Sequence, residues 1–154
     1  MRLFAAIDVP ADVKAFIARL PASRVPPNGA HITLKFLGEV PDDSGLLIAL
    51  AGVRPPAFDI TLDRYGEFPG RVIFLDGPPN AAFMALADAV HVVTNSIPRD
   101  HDPAIHATIA RTTARLRDLT LPAVGPFTWR VTEFVLYRSA HGAYEAVRRF
   151  PLTG

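Results

Sequence analysis

The alternation of hydrophobic and polar residues divides this chain into short strands and amphipathic helices. Apolar runs rich in β-branched and aromatic residues predict strands, whereas apolar residues spaced three and four apart predict helices. The predicted strands are residues 2–8, 31–37, 57–64, 71–75, 105–111, 127–137 and 144–152. The predicted helices are residues 11–20, 45–51, 81–97 and a short segment ending at Leu119. Because helices alternate with hairpins, the order predicts an α+β fold with largely antiparallel sheets.

A strand–helix–strand unit occurs twice along the chain. One unit begins at the N-terminal strand and the other near residue 72, and in each the second strand carries a histidine near its start. The two histidine strands lie about 75 residues apart, a spacing that favours two lobes over a solenoid. A chain of 154 residues suits one domain. We therefore expect residues 1–154 to form a single domain of two pseudo-repeated lobes.

Composition excludes several classes of function. The chain has no cysteine, which excludes disulfides, cysteine-ligated metals and a thiol nucleophile. Its formal net charge is only +1, so it is not a polycation. Asp8 and Pro10 end the N-terminal apolar run early, and no other stretch is long and uncharged enough to cross a bilayer. We expect a soluble, cytoplasmic protein that contacts no membrane.

Two His-x-Thr motifs carry the candidate chemistry. Residues two apart on a strand point to the same face. In the segment HITLKF this spacing predicts that His31, Thr33 and Lys35 share one face. In the segment HATIAR it predicts that His106 and Thr108 share one face. Each predicted strand can thus bury its apolar face and present a polar one.

An imidazole beside a hydroxyl suits phosphate chemistry. Cleaving a cyclic phosphodiester with water requires one group that takes a proton and one that gives a proton. Two imidazoles with pKa values near their unperturbed value of about 6.5 can divide these tasks. The hydroxyls of Thr33 and Thr108 can donate to phosphate oxygens. Arg111, at a strand end after Ala110 on the face predicted for His106, could turn its long side chain toward the same site.

Several ordered segments resemble one known family. They are MRLFAAIDVP, HITLKFLGEV, RVIFLDG, HATIAR and FVLYRSAHGAYEAVRRFPL. Together they cover essentially the whole chain and resemble the 2H phosphoesterase superfamily, and within it the RNA 2′,3′-cyclic phosphodiesterases, historically called bacterial 2′-5′ RNA ligases. The resemblance implies a bilobal pseudo-symmetric fold in which two antiparallel sheets line a central cleft, with helices outside.

The same resemblance implies an activity and assigns roles to the motif residues. It implies hydrolysis of the 2′,3′-cyclic phosphate end of an RNA to a 2′-phosphate. His31 would be the general acid and His106 the general base, while Thr33, Thr108 and Arg111 would bind the phosphate. No metal and no cofactor is expected. The expected partner is RNA with a cyclic phosphate end or a related nucleotide, and the expected state is a monomer.

Other functions stay open at this point. The same site could act on a small cyclic nucleotide or on an ADP-ribose cyclic phosphate, and the width of the cleft would decide between these substrates and RNA. A non-catalytic RNA-binding module of the same fold is a third hypothesis, although binding alone does not need two titrating imidazoles. Ligation through a 2′-5′ bond is possible as the reverse reaction.

Further histidines and one lysine are interpreted as structural. A metal site made by His101, Asp102 and the other histidines is disfavoured because the spacing matches no ligand motif. His91 lies in a helical pattern and His141 in a turn, so both are expected at or near the surface. Lys35 could meet phosphate, but a strand lysine more commonly reaches water.

Aromatic residues and arginines in the last third of the chain have two interpretations. Phe127, Trp129 and Tyr137 could stack on bases. We expect them in the core instead, since they follow one predicted strand. Arg148 and Arg149 could touch an RNA backbone, or they could be solvated charges that protect a strand edge.

Overall fold

Antiparallel strands dominate the fold. The computed structural model describes residues 2–21, 23–25 and 29–154. Its elements are β1 (Arg2–Asp8), α1 (Ala11–Arg19), β2 (His31–Glu39), α2 (Ser44–Ala51), β3 (Phe58–Leu62), β4 (Arg64–Phe68), β5 (Val72–Asp76), α3 (Ala81–Val93), β6 (Ala107–Arg111), a 3-10 turn (Leu116–Asp118), β7 (Phe127–Val131), β8 (Glu133–Ala140) and β9 (Ala143–Pro151). The predicted α+β class is confirmed.

The strands form one large sheet and one small sheet. The large sheet has seven strands in the order β4-β5-β6-β2-β1-β8-β9, and β3 pairs with β7 in the small sheet. Every strand pair in both sheets is antiparallel, as predicted. The two predicted antiparallel sheets are present, and they divide the strands unequally. Strands of both sequence units join edge to edge, with Ile32 of β2 opposite Ala107 of β6.

The two faces of the large sheet have different environments. Along β1, the alternate residues Leu3, Ala5 and Ile7 belong to the main hydrophobic core. The same core contains residues of all three α-helices, among them Val13, Ile17, Leu50, Phe83, Leu86 and Val90. The helices therefore cover one face. Phe4 and Ala6 of β1 point to the other face, where the His-x-Thr motifs lie. Within the described ranges, no helix is both long and apolar enough to span a bilayer.

The strand predicted over residues 127–137 is two strands. The chain leaves the small sheet after β7 and enters the large sheet with β8. Thr132 lies between them, and its carbonyl accepts a hydrogen bond from the Leu152 amide at 2.8 Å. The apolar pattern continues from β7 into β8, so it could not predict that the chain changes sheets between them.

Strand β4 was not predicted. Its sequence RYGEF contains a glycine and two charged residues, which are poor local signals for a strand. It forms because Arg64–Phe68 pairs with Val72–Asp76 across a tight turn at Gly70, whose φ is +76°. Pairing with the buried strand β5 therefore outweighs the weak local preference.

The third and fourth predicted helices are shorter than expected. Helix α3 ends at Val93 rather than at residue 97, because the chain continues in turns: the Thr94 amide donates to the His91 carbonyl at 3.1 Å and the Ile97 amide to the Thr94 carbonyl at 2.9 Å. The N-terminus of this helix is capped by Asn80, whose side-chain oxygen accepts from the Phe83 amide at 2.9 Å. The short helix predicted up to Leu119 is only a 3-10 turn.

Candidate active site

The structure brings the two predicted histidines to the junction of the two sequence units. His31 is the first residue of β2, and His106 directly precedes β6. The residues that follow them, Ile32 and Ala107, lie opposite each other in the sheet. Because these two strands are antiparallel, the two histidines flank this residue pair from opposite directions.

Each histidine is held by the same local hydrogen bond. The Nδ1 atom of His31 is 2.8 Å from the Gly29 carbonyl oxygen, and the Nδ1 atom of His106 is 3.0 Å from the Ala104 carbonyl oxygen. Both acceptors lie two residues before their histidine. A carbonyl can only accept, so each Nδ1 carries a hydrogen and donates it. This tautomer leaves the two Nε2 atoms for proton transfer.

Both histidines are half-buried, and their environment favours the neutral form. Burial is the largest cause that lowers the pKa of His31, and the charges of His106 and Arg111 lower it further, while the Gly29 carbonyl and Asp8 act in the opposite direction. Burial likewise lowers the pKa of His106, and Arg111 is again among the charges that lower it. The two imidazoles and the guanidinium are thus electrostatically coupled.

A bulge in β2 decides which side chains face the histidines. Thr33 pairs with Ala6, but the next β1 residue, Ala5, pairs with Lys35, so Leu34 is an extra residue. The extra residue reverses the alternation of faces after Thr33. Thr33 precedes the bulge and shares the face of His31, whereas Lys35 follows the bulge and does not.

The prediction that Lys35 lies on the His31 face is wrong, and so is the prediction that it reaches water. Lys35 is 4% exposed and points to the helical face. Its ammonium shares three hydrogens among four acceptors, namely Nδ1 of His91 and the hydroxyl and carbonyl of Thr94, all at 2.9 Å, and the Ile97 carbonyl.

A matching bulge in β6 turns Arg111 toward the site. Thr108 pairs with Phe74, but Ala110 pairs with Ile73, so Ile109 is the extra residue. Ala110 consequently faces the core, which corrects the expectation that it shares the face of Thr108. Arg111 returns to the face of Thr108 and is exposed. Its effect on the pKa of both histidines places it within electrostatic reach of each.

Three aromatic rings surround His31. The ring of Phe4 lies 4.8 Å from the imidazole between centroids, and Tyr144 meets it edge-on at 5.1 Å. Tyr137 lies 6.1 Å away and is stacked on Phe4. Tyr137 was expected in the core, whereas it lines the site, and burial raises its pKa to about 12. Phe127 and Trp129 pack against the core as expected.

Two more rings surround His106. Phe74 and Phe68 approach its imidazole edge-on at centroid distances of 5.4 and 5.7 Å. Gly66 lies opposite Phe74 in the neighbouring strand, and a Cβ on Gly66 would overlap the Phe74 ring. These rings gave no signal in the sequence, because Phe74 sits in an ordinary apolar strand pattern and Phe68 in a segment without a strand pattern.

The remaining candidates lie outside this centre or play other parts. His101 is exposed and its ring lies 5.8 Å from Phe36, and its charge is among the causes that lower the pKa of His106. Among the residues that the structure describes, no group of three or more histidine, aspartate or glutamate side chains could hold a metal ion. His141 is an exposed turn residue with φ of +53°. Arg149 pairs with Glu133 at 2.6 Å, and Arg148 is exposed on the edge strand β9.

Comparisons with known proteins agree on one family. The family model of the 2′-5′ RNA ligase superfamily matches residues 9–143. The RNA 2′,3′-cyclic phosphodiesterase of Escherichia coli (strain K12) is 34% identical, over 99% of this chain and 97% of that protein. The crystal structure of E. coli LigT in apo form has a TM-score of 0.85 at 30% identity, over 99% of this chain and 98% of that one. The crystal structure of TT0787 of Thermus thermophilus has a TM-score of 0.79 at 28% identity, over the same shares.

Proposed function

The chain belongs to the 2′-5′ RNA ligase superfamily, and we propose that it hydrolyses the 2′,3′-cyclic phosphate end of RNA to a 2′-phosphate without a metal ion. One observation carries this proposal: His31 and His106 flank the Ile32–Ala107 pair, each with Nδ1 fixed by a backbone carbonyl. Such a pair supplies two equivalent Nε2 atoms on one face of the sheet, which fits an in-line displacement at phosphorus.

In the proposed reaction the two histidines act on opposite sides of the phosphorus. His106 removes a proton from water, and the water oxygen forms a bond to phosphorus. The bond from phosphorus to the 3′ oxygen breaks, and His31 gives that oxygen its proton. The 2′ oxygen keeps the phosphate. The assignment of His31 as the acid and His106 as the base follows the family resemblance.

The phosphate is held by the two motif threonines and by Arg111, which the β6 bulge returns to this face. The hydroxyls of Thr33 and Thr108 are placed to donate to the non-bridging oxygens. Arg111 adds a full positive charge and up to two hydrogen bonds to the same oxygens. Charge that builds up at phosphorus in the transition state is therefore stabilised without a metal. The five residues come from both lobes, so neither lobe holds the site alone.

We also propose that residues 1–154 act as one domain, as a monomer and in the cytoplasm. The site draws on β2 and β6 of a single chain, so a second copy is not required to complete it. A chain without cysteine suits a reducing compartment such as the cytoplasm, since its fold needs no disulfide.

Hydrolysis of a short RNA with a 2′,3′-cyclic phosphate end, in the presence of EDTA, tests the proposal. The wild type should form a 2′-phosphate. His31→Asn and His106→Asn should each lower the rate about 10²–10⁴-fold, the usual contribution of one general acid or base. His141→Asn is the matched control, because this histidine is exposed in a turn whose conformation asparagine tolerates.

Two results would contradict the proposal. A folded wild type that leaves the RNA unchanged would exclude this substrate, and small cyclic nucleotides would then be assayed with the same variants. Activity that disappears with EDTA and returns with a divalent cation would exclude the metal-free mechanism.

A further inference from the structure

Lys35 is a buried cation without a part in the proposed chemistry. No carboxylate pairs with it anywhere in the described ranges, and its bonded partners are one imidazole, one hydroxyl and two carbonyls. The carbonyl partners lie just beyond the C-terminus of helix α3, where the negative end of the helix dipole favours a cation. An apolar residue would fill such a position at a lower desolvation cost. The ammonium therefore provides hydrogen bonds to the end of α3 that an apolar side chain could not make.

The direct link between the two histidine strands is slight. Ile32 and Ala107 are the one residue pair that joins β2 to β6 in the described sheet. One further backbone bond, from the Arg24 amide to the Ile109 carbonyl at 3.0 Å, crosses to β6 from the segment before β2. Because so few backbone bonds join the two strands, other contacts must set their relative position.

Lys35 forms a second connection between these strands. It lies on β2, two residues after Thr33, and the Leu34 bulge directs it to the helical face. The residues it holds, Thr94 and Ile97, begin the segment that leads from α3 to His106. This connection therefore runs from the strand of the first histidine to the backbone leading to the second.

The same segment is anchored once more before it reaches His106. The Arg99 guanidinium donates to the Ala87 carbonyl at 3.1 Å and pairs with Asp88 at 2.8 Å, both on α3. Ala104 then supplies the carbonyl that binds Nδ1 of His106. Because Arg99 ties this segment to α3, a shift of α3 relative to β2 would carry the segment, and with it the Ala104 carbonyl that holds His106.

We propose that Lys35 is a positioning residue that sets the separation of His31 and His106 by binding the C-terminal end of α3. This inference rests on the proposed function for its activity readout. Its role differs from catalysis, because Lys35 lies on the face of the sheet opposite the phosphate. Loss of the ammonium should lower turnover more than substrate binding, since proton transfer at phosphorus depends more steeply on the alignment of the acid and the base than the charge attraction between Arg111 and the phosphate does.

Lys35→Met tests the proposal in the full-length chain, with the cyclic-phosphate RNA as substrate. We expect kcat to fall about 10- to 100-fold, the usual penalty for a displacement of about 1 Å, with KM changed less than about threefold. Leu86→Ala is the matched control, because it damages the buried face of the same helix without touching the connection. Leu86→Ala should lower Tm as much as Lys35→Met or more, and it should still keep kcat within about twofold of the wild type.

Thr94→Val gives a milder test if Lys35→Met does not fold. It removes one of the four acceptors and should lower kcat about threefold or more without a change in KM. A Lys35→Met protein with wild-type kcat would overturn the proposal. So would equal losses of kcat in Lys35→Met and Leu86→Ala at equal Tm, since a merely structural role predicts that result.

Inorganic phosphate separates this proposal from the proposed function. In the wild type, phosphate should shift the Hε1 NMR signals of both His31 and His106, whether or not RNA is hydrolysed. In Lys35→Met it should shift only one of them at the same concentration. If the wild type binds phosphate but does not hydrolyse the RNA, the proposed function fails and this measurement still decides the role of Lys35. Identical shifts in both proteins would overturn it.

Discussion

Ile32 lies opposite Ala107 in the sheet, and each of the two directly follows a histidine of the site. Each histidine in turn donates from Nδ1 to the carbonyl two residues before it. The same bulge also follows each threonine, at Leu34 in β2 and at Ile109 in β6. The two halves of the site thus share one backbone design. They differ on the site face two residues after the bulged residue, where one half has Phe36 and the other has Arg111.

Arg111→Met should weaken substrate binding. The substitution keeps most of the apolar stem but removes the guanidinium, so KM should rise about 10- to 100-fold, as expected for the loss of charge-assisted hydrogen bonds. Steady-state kinetics on the cyclic-phosphate RNA measures this. Arg148→Met is the matched control, an exposed arginine on β9, and should keep KM unchanged. An equal rise in KM for both variants would point to general charge attraction.

The dependence of kcat/KM on pH should be bell-shaped with its maximum below pH 6.5, since burial lowers the pKa of both His31 and His106 from 6.5. As pH falls, protonation of the base His106 removes activity. As pH rises, deprotonation of the acid His31 removes it. Lowering both pKa values therefore moves both limbs toward acid pH. An optimum above pH 7 would contradict the assigned environment of the free enzyme.

Tyr144→Ala should raise the pKa of His31 toward its ordinary value. Tyr144 meets the imidazole edge-on at 5.1 Å, and burial is the largest cause of the low pKa. Removing the ring admits water, which stabilises the imidazolium. NMR titration of the His31 Hε1 signal measures the change, and the His106 signal is the internal control. Equal movement of both signals would show a global change of structure instead.

Gly66→Ala should impair His106. The added Cβ would overlap the Phe74 ring, which must then move relative to the imidazole it contacts at 5.4 Å. We expect kcat to fall about tenfold, because small displacements at a catalytic group are costly. Gly45→Ala in helix α2 is the control, since a Cβ there meets nothing within 4 Å. It should keep activity and gain up to about 1 kcal/mol in the free energy of unfolding from helix propensity.

The class of the fold and the candidate chemistry follow from local patterns of residues along the chain. Apolar residues of period two and of period 3.6 located most strands and helices within a few residues, because these patterns follow from backbone geometry alone. The paired His-x-Thr motifs stood out for the same reason. Two residues that lie two positions apart on a strand share a face as long as the ladder is regular.

Pairing between distant strands controls which face a side chain takes where the ladder is irregular. Bulges at Leu34 and Ile109 depend on the pairing partner, so the sequence pattern placed Lys35 and Ala110 on the wrong face. Pairing with β5 likewise created strand β4 from a sequence with little strand preference. The sequence pattern also did not predict the aromatic rings around both histidines or the buried ammonium of Lys35. Each depends on contacts between residues far apart in the chain, and local periodicity carries no information about such contacts.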